Sequence, residues 1–241
     1  MSDQHIASAF DRELEAVQAQ IVRMGGLVEQ AILEGVKALV ERDKELAEEV
    51  RKRDRAIDAL EERVNDEAAR LIALRAPVSK DLRVVLTVMR LAGGLERIGD
   101  YAKNIGKRTT VLAESRQISG ANATLKRMGA EVQSMLRDTL DAFITRDAEL
   151  ARAVIARDED VDQIYNTLFR EFLTFMMEDP RNITPCMHLH FIAKNIERMG
   201  DLVTNMAEQV VYLTTGERPQ ESRPKGDVTA FMGDLAADDA P

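Results

Sequence analysis

Two eleven-residue stretches carry the side chains best suited to chemistry in this sequence. Residues 95–105 read LERIGDYAKNI and residues 196–206 read IERMGDLVTNM, so Glu-Arg-x-Gly-Asp-x-x-x-Asn recurs at an offset of 101. On a helix, Glu96, Asp100 and Asn104 form one stripe of i,i+4 neighbours, and Glu197, Asp201 and Asn205 form another. Acids one turn apart repel each other, and Gly99 and Gly200 each cost a helix interior roughly 0.5–1 kcal/mol relative to alanine. A locally unfavourable pattern written twice asks for a compensating role. A matching pair lies upstream in each copy: Asp54 with Asp58, and Asp158 with Asp162. If the helices carrying these pairs lie side by side, each copy gathers four carboxylates. Oxygen donors in that number suit Mg²⁺, Mn²⁺, Ca²⁺ or iron, and crowding would raise some carboxyl pKa values unless a cation compensated. The competing reading is an ordinary solvated helix face. Arg97 and Arg198 would then pair with neighbouring acids, and the two glycines would merely allow close packing.

Other reactive residues form weaker constellations. His188 and His190 stand two apart, so on a helix they point in different directions, and the first copy has no histidine equivalents. His5 is alone near the N-terminus, and Cys186 has no evident basic partner to lower its pKa. No Glu-x-x-His motif of a di-iron bundle appears, nor a phosphate-binding Gly-Lys-Ser/Thr loop, a dinucleotide fingerprint or a serine elbow.

The acidic stripes need long helices to position them, and the apolar spacing supplies those. Phe10, Leu14, Val17, Ile21, Met24, Val28, Ile32 and Val36 step by three or four residues, as do Leu46, Val50, Ile57, Leu60, Val64, Ala68 and Leu71. Pro77 breaks the second run, and Ser79 is the expected N-cap of a third run reaching Glu114. The pattern then restarts. At an offset of 104, Met24-Gly25 falls on Met128-Gly129, Arg42-Asp43 on Arg146-Asp147 and Arg53-Asp54 on Arg157-Asp158. The chain is therefore an internal duplication of a three-helix unit. The expected fold is all-α: two tandem three-helix bundles, residues 1–116 and 117–216, with six main helices of about 30 residues, each ~45 Å long, in an elongated molecule. Residues 217–241, rich in proline and poor in apolar anchors, are expected to form a disordered tail.

Composition narrows the function. A net charge of −9 opposes binding to nucleic acid or to anionic lipid. One cysteine, no basic-then-apolar leader and no apolar run of roughly 18 residues lead to the expectation of a cytoplasmic protein without a transmembrane segment.

The N-terminal run FDRELEAVQAQIVRMGGLVEQ, the paired LERIGD and IERMGD segments, and TFMMEDPRNI before the last helix resemble the PhoU family over about residues 5–216. The resemblance implies two three-helix bundles, no catalytic turnover, and a cytoplasmic regulator of phosphate uptake that dampens phosphate-starvation signalling. As partners it implies the ATPase subunit of the phosphate ABC transporter and the phosphate sensor histidine kinase, with recruitment to the inner face of the membrane through them. It also implies a homodimer. Members carry E/D-x-x-x-D motifs that bind metal, and these fall here on Asp54, Asp58, Glu96, Asp100, Asp158, Asp162, Glu197 and Asp201. Iron, zinc, manganese or magnesium ions are the expected occupants, with none needed for catalysis. A different class remains beside it: a carboxylate-rich metalloenzyme acting on phosphate compounds, with the metal as Lewis acid.

Overall fold

A computed structural model describes residues 2–118, 120–217 and 219, with side chains described from Phe10 onward. Residues 218 and 220–241, where the tail is expected, lie outside the described residues. Seven α-helices are present among them: α1 (Ser2–Glu41), α2 (Lys44–Arg75), α3 (Ser79–Leu112), α4 (Ala121–Thr145), α5 (Ala148–Ala156), α6 (Asp158–Glu178) and α7 (Ile183–Thr215), with a 3₁₀ turn at Pro180–Asn182. α1, α2 and α3 form one bundle, and α4, α5, α6 and α7 the other. At 40 residues, α1 spans about 60 Å, and the molecule is elongated along it.

The apolar stripes read from sequence are the cores. Ile21, Met24, Val28, Ile32, Ile57, Val64, Leu91, Leu95, Ile98 and Ile105 are buried in the first bundle. Leu125, Met128, Phe143, Leu168, Phe172 and Ile196 fill the second. The bundles join through α1 against α4 and α3 against α7. Gly25 of α1 meets Leu140 of α4, and Gly129 of α4 meets Val36 of α1. The offset of 104 exchanges these two pairs, so the halves are related by an internal two-fold. The α3–α7 seam obeys the same symmetry: Arg90 bonds to Gln209, while Arg108 lies over the ring of Phe191, and an offset of 101 exchanges them.

The duplicated Arg-Asp pairs are turns. Arg42 and Arg146 take the left-handed conformation (φ 57° and 58°) that stops α1 and α4. Asp43 and Asp147 then cap the next helices, Asp43 accepting from the Leu46 N–H and Asp147 from those of Glu149 and Leu150. Asp147→Ala should therefore cost about 1 kcal/mol, a fall in melting temperature of about 2–4 °C, whereas Asp147→Asn keeps an acceptor and most of the stability. Thermal unfolding followed by circular dichroism checks this. An alanine melt equal to wild type would deny the cap.

Two local expectations are corrected. The second helix of the second repeat is not continuous: it breaks at Arg157 into α5 and α6. Asp158, Glu159 and Asp160 crowd three negative charges into one turn, which favours a helix N-terminus there. The Arg157 side chain is meanwhile drawn to Glu131 and Asp138 of α4. Repeat one has Arg55 and Ala56 at the corresponding places and runs straight through. Ser79 is likewise not the cap of α3. Val78 holds that position with extended backbone and no side-chain bond, and Ser79 begins the helix at φ 53°.

Candidate functional site: two acidic helix seams

The α2–α3 seam brings together all four carboxylates of the first repeat. Gly99 faces α2 so closely that a Cβ there would lie 3.0 Å from Ile57 Cδ1 and 3.3 Å from Asp54 Oδ1. The glycine thus lets Asp54 enter the interface, where it is 2 % exposed. Neither Asp54 oxygen accepts a hydrogen bond of ordinary geometry. Its charge is met by Lys103, whose Nζ lies 2.5 Å from Asp54 Oδ2 and 3.2 Å from Asp100 Oδ1. The Asp54 carboxylate, and after it Asp100, holds the Lys103 ammonium well above the ordinary lysine value. Asp58 is pushed up by burial and by Asp54. Glu96 is pushed up by burial and then by Asp100, Asp58, Glu61 and Asp54. These mutual effects mark a single cluster, half-buried at Asp58, Glu96 and Asp100.

The α6–α7 seam repeats the design with different neutralising groups. Glu197 is almost fully buried, with Oε1 2.8 Å from Lys194 Nζ and Oε2 enclosed without a hydrogen-bond partner. Burial pushes its carboxyl up to about 7, with Lys194 opposing and Asp201 and Asp162 adding to the rise. Asp162 is buried, and Asp158 and Asp201 are half-buried. Thr204 Oγ1 lies 3.1 Å from Asp158 Oδ1 and 3.0 Å from the Gly200 carbonyl, so its one proton serves one acceptor at a time. Thr204 is the counterpart of Lys103 at the offset of 101.

The sequence reading placed the acids in two groups of four but missed Lys103, Lys194 and Thr204. The signal was present, since Lys103 and Lys194 each stand three residues from a motif acid and so share its helix face. Asn104 and Asn205, the ends of the two stripes, are exposed. Among the described residues no three His, Cys, Asp or Glu side chains already converge as a ligand set. The donors nevertheless suit a hard cation: they are all carboxylate oxygens, and Glu197 Oε2 is buried without a hydrogen-bond partner. His188 is half-buried and pushed down in pKa by burial and by Arg108, while the His190 ring packs among Tyr165, Phe169 and Phe191. Cys186 is buried, which pushes its thiol up. Among the described residues no helix is long and apolar enough to cross a membrane.

The PhoU domain model matches residues 21–109 and 125–210, one match per repeat. The chain is 45 % identical over 235 residues to the phosphate-specific transport system accessory protein PhoU homolog of Rhizobium meliloti, covering 98 % of this chain and 99 % of that one. It is 44 % identical over 225 residues to the Caulobacter vibrioides homolog of the same name, covering 93 % and 98 %. The crystal structure of PhoU from Pseudomonas aeruginosa superposes with a TM-score of 0.84 at 38 % identity, over 86 % of this chain and 100 % of that one. The phosphate transport system regulatory protein PhoU from Streptococcus pneumoniae gives 0.81 at 32 % identity, over 88 % and 100 %. Matched in both repeats, along nearly its whole length and in three dimensions, the chain belongs to the PhoU family.

Proposed function

We propose that the protein is a non-enzymatic accessory regulator of phosphate uptake and a negative regulator of phosphate-starvation signalling. It links the ATPase subunit of the phosphate ABC transporter to the phosphate sensor histidine kinase. The observation that carries this reading is end-to-end similarity to relatives named as accessory proteins of phosphate-specific transport. Those names, and the regulatory name of the Streptococcus pneumoniae structure, favour a regulator over a metalloenzyme. In this reading the protein works in the cytoplasm as a homodimer and reaches the inner face of the membrane through its partners. Its output follows from differential affinity for the two partners as the transporter cycles.

The acidic seams are the proposed binding elements. Asp54, Asp58, Glu96 and Asp100 would hold a cation in the first seam, and Asp158, Asp162, Glu197 and Asp201 in the second. An iron, zinc, manganese or magnesium ion bound there supplies positive charge that neutralises the clustered carboxylates. The chain's own contribution is to hold those carboxylates across two helices, α2 with α3 and α6 with α7. Occupancy would therefore stiffen each seam and change the charge presented to a partner.

Complementation tests the proposal. A strain lacking its own copy is given wild type or the quadruple variant Glu96→Ala/Asp100→Ala/Glu197→Ala/Asp201→Ala, and a phosphate-starvation reporter is read at high phosphate. Wild type should repress, and the folded variant should leave the reporter at least tenfold higher, close to the deletion strain. Full repression by the variant would remove the seams from the function. Failure of wild type to repress, or to capture the transporter ATPase in a pull-down, would remove the regulatory reading itself.

A further inference from the structure

Symmetry-related positions in the two seams carry different chemistry. The offset that maps Glu96 and Asp100 onto Glu197 and Asp201 maps Lys103 onto Thr204. In the first seam, the ammonium of Lys103 sits between Asp54 and Asp100, 2.5 Å from one carboxylate and 3.2 Å from the other. In the second, the corresponding position offers Asp158 a neutral hydroxyl at 3.1 Å. Lys194 also reaches the second seam, but from the other direction along α7, three residues before Glu197, where it engages Glu197 Oε1. Its own counterpart in the first repeat is Gly93.

We propose that Lys103 is a tethered cation that occupies the first seam, so that Lys103 and Thr204 are the residues that set how readily each seam takes up a divalent cation. The inference rests on reading the seams as cation sites. Its support lies in the position of Nζ. Asp54 is 2 % exposed and its charge is met by the Lys103 ammonium 2.5 Å from Oδ2, so the lysine already stands where an oxygen-seeking cation would. The lysine supplies one positive charge without losing translational freedom, since it is already part of α3. A divalent ion entering between Asp54 and Asp100 must displace that ammonium or sit beside it, and like charges a few ångströms apart repel strongly where water is partly excluded. Removing Lys103 leaves a buried carboxylate with no countercharge, a state that favours an incoming ion. Threonine at 103 recreates the side chain found naturally at the symmetry-related place.

The test uses the full chain with Mn²⁺ as probe, followed by isothermal titration and electron paramagnetic resonance at low ionic strength. Five proteins are compared: wild type, Lys103→Thr, Lys103→Arg, Thr204→Lys and, as the control with the second seam disabled, Glu197→Ala/Asp201→Ala. Lys103→Thr should gain a site or bind at least tenfold more tightly at the first seam, and Lys103→Arg should behave as wild type. Thr204→Lys should weaken binding at the second seam at least tenfold. Melting temperatures supply an independent readout: Lys103→Thr should melt lower than wild type in chelator, and Mn²⁺ should raise it more than it raises wild type. If Lys103→Thr proves too unstable to titrate, Lys103→Gln, whose uncharged amide can still donate to Asp54, is titrated in its place and decides. Unchanged isotherms for both variants, with binding still lost in Glu197→Ala/Asp201→Ala, would overturn the role of Lys103 and leave the seams as cation sites. Absence of Mn²⁺ binding from all five proteins would overturn both.

Discussion

Exchange of Gly106 for leucine is expected to cost about 3–4 kcal/mol and to lower the melting temperature by about 6–16 °C. Gly106 lies seven residues, two helical turns, beyond Gly99 on the side of α3 that faces α2. A Cβ there would sit 2.8 Å from the backbone carbonyl oxygen of Ala47 and 3.2 Å from Arg51 Cγ. Ala47 is itself fully buried near the start of α2, just past the Asp43 cap. A backbone carbonyl within a helix cannot turn aside as the end of a side chain can, so the two helices must part. Gly26 is the control: nothing lies within 4 Å of where its Cβ would be, and Gly26→Ala should stabilise by about 0.5–1 kcal/mol through helix propensity alone. Urea unfolding distinguishes the outcomes, with a lower midpoint for Gly106→Leu, a higher one for Gly26→Ala and similar slopes for both. A Gly106→Leu midpoint equal to wild type would contradict the close approach of α2 to α3. The second repeat carries Ala207 at this position, buried on α7.

How far the sequence discloses this architecture depends on the range of the forces involved. Helices and cores were legible because burial imposes a local periodicity: Ile21, Met24, Val28 and Ile32 announce one buried face without reference to any partner. The duplication was legible because Met-Gly, Arg-Asp and Glu-Arg-x-Gly-Asp recur at nearly constant offsets. It left open whether the second and third helices of each repeat lie side by side, which the packing of α2 on α3 and of α6 on α7 settles. The break at Arg157 was not legible. It joins a local cue, three acids in one turn, to a distant one, the pull of Glu131 and Asp138 on the arginine. The left-handed arginines at 42 and 146 were also hidden, because a repeated Arg-Asp pair says nothing of φ, and glycine would have been the expected residue.

The acidic clusters were half legible. Spacing placed Asp54 beside Asp58 and Glu96 beside Asp100, but spacing cannot report burial. Asp54 and Glu197 proved to be among the most enclosed carboxylates, while Asp100 is half-buried. Which acid sinks depends on where glycine lets the neighbouring helix approach: Gly99 for Asp54, and Gly200 for the α6 side of the second seam. The lysines were missed for a related reason. A lysine three residues from an acid is ordinarily a weak surface pair, and only the burial of its partner turns Lys103 into a neutralising group.

Burial of Glu197 leads to the second large expected effect, a pH dependence that Glu197→Gln removes. The carboxyl is pushed from an ordinary value of 4.5 up to about 7, first by burial, with Lys194 opposing and Asp201 and Asp162 adding to the rise. Below about pH 4.5 the group is protonated in folded and unfolded chains alike and leaves stability unchanged. Between 4.5 and 7 the unfolded chain gives up its proton while the folded one keeps it, so stability falls as pH rises, and above 7 the loss is complete. At 1.36 kcal/mol per unit, the loss is at most about 3 kcal/mol. Glutamine keeps the shape without the charge, so Glu197→Gln should melt within about 2 °C of wild type at pH 5 and about 6–12 °C above it at pH 8. Thermal melts of both proteins at the two pH values decide the matter, since other titrating groups cancel in the difference. An equal gap at pH 5 and pH 8 would mean that the buried carboxyl carries no penalty. A cation in the second seam would act in the opposite sense, repaying the buried charge. Mn²⁺ at pH 8 should therefore raise the melting temperature of wild type and close the gap, while leaving Glu197→Gln nearly unmoved.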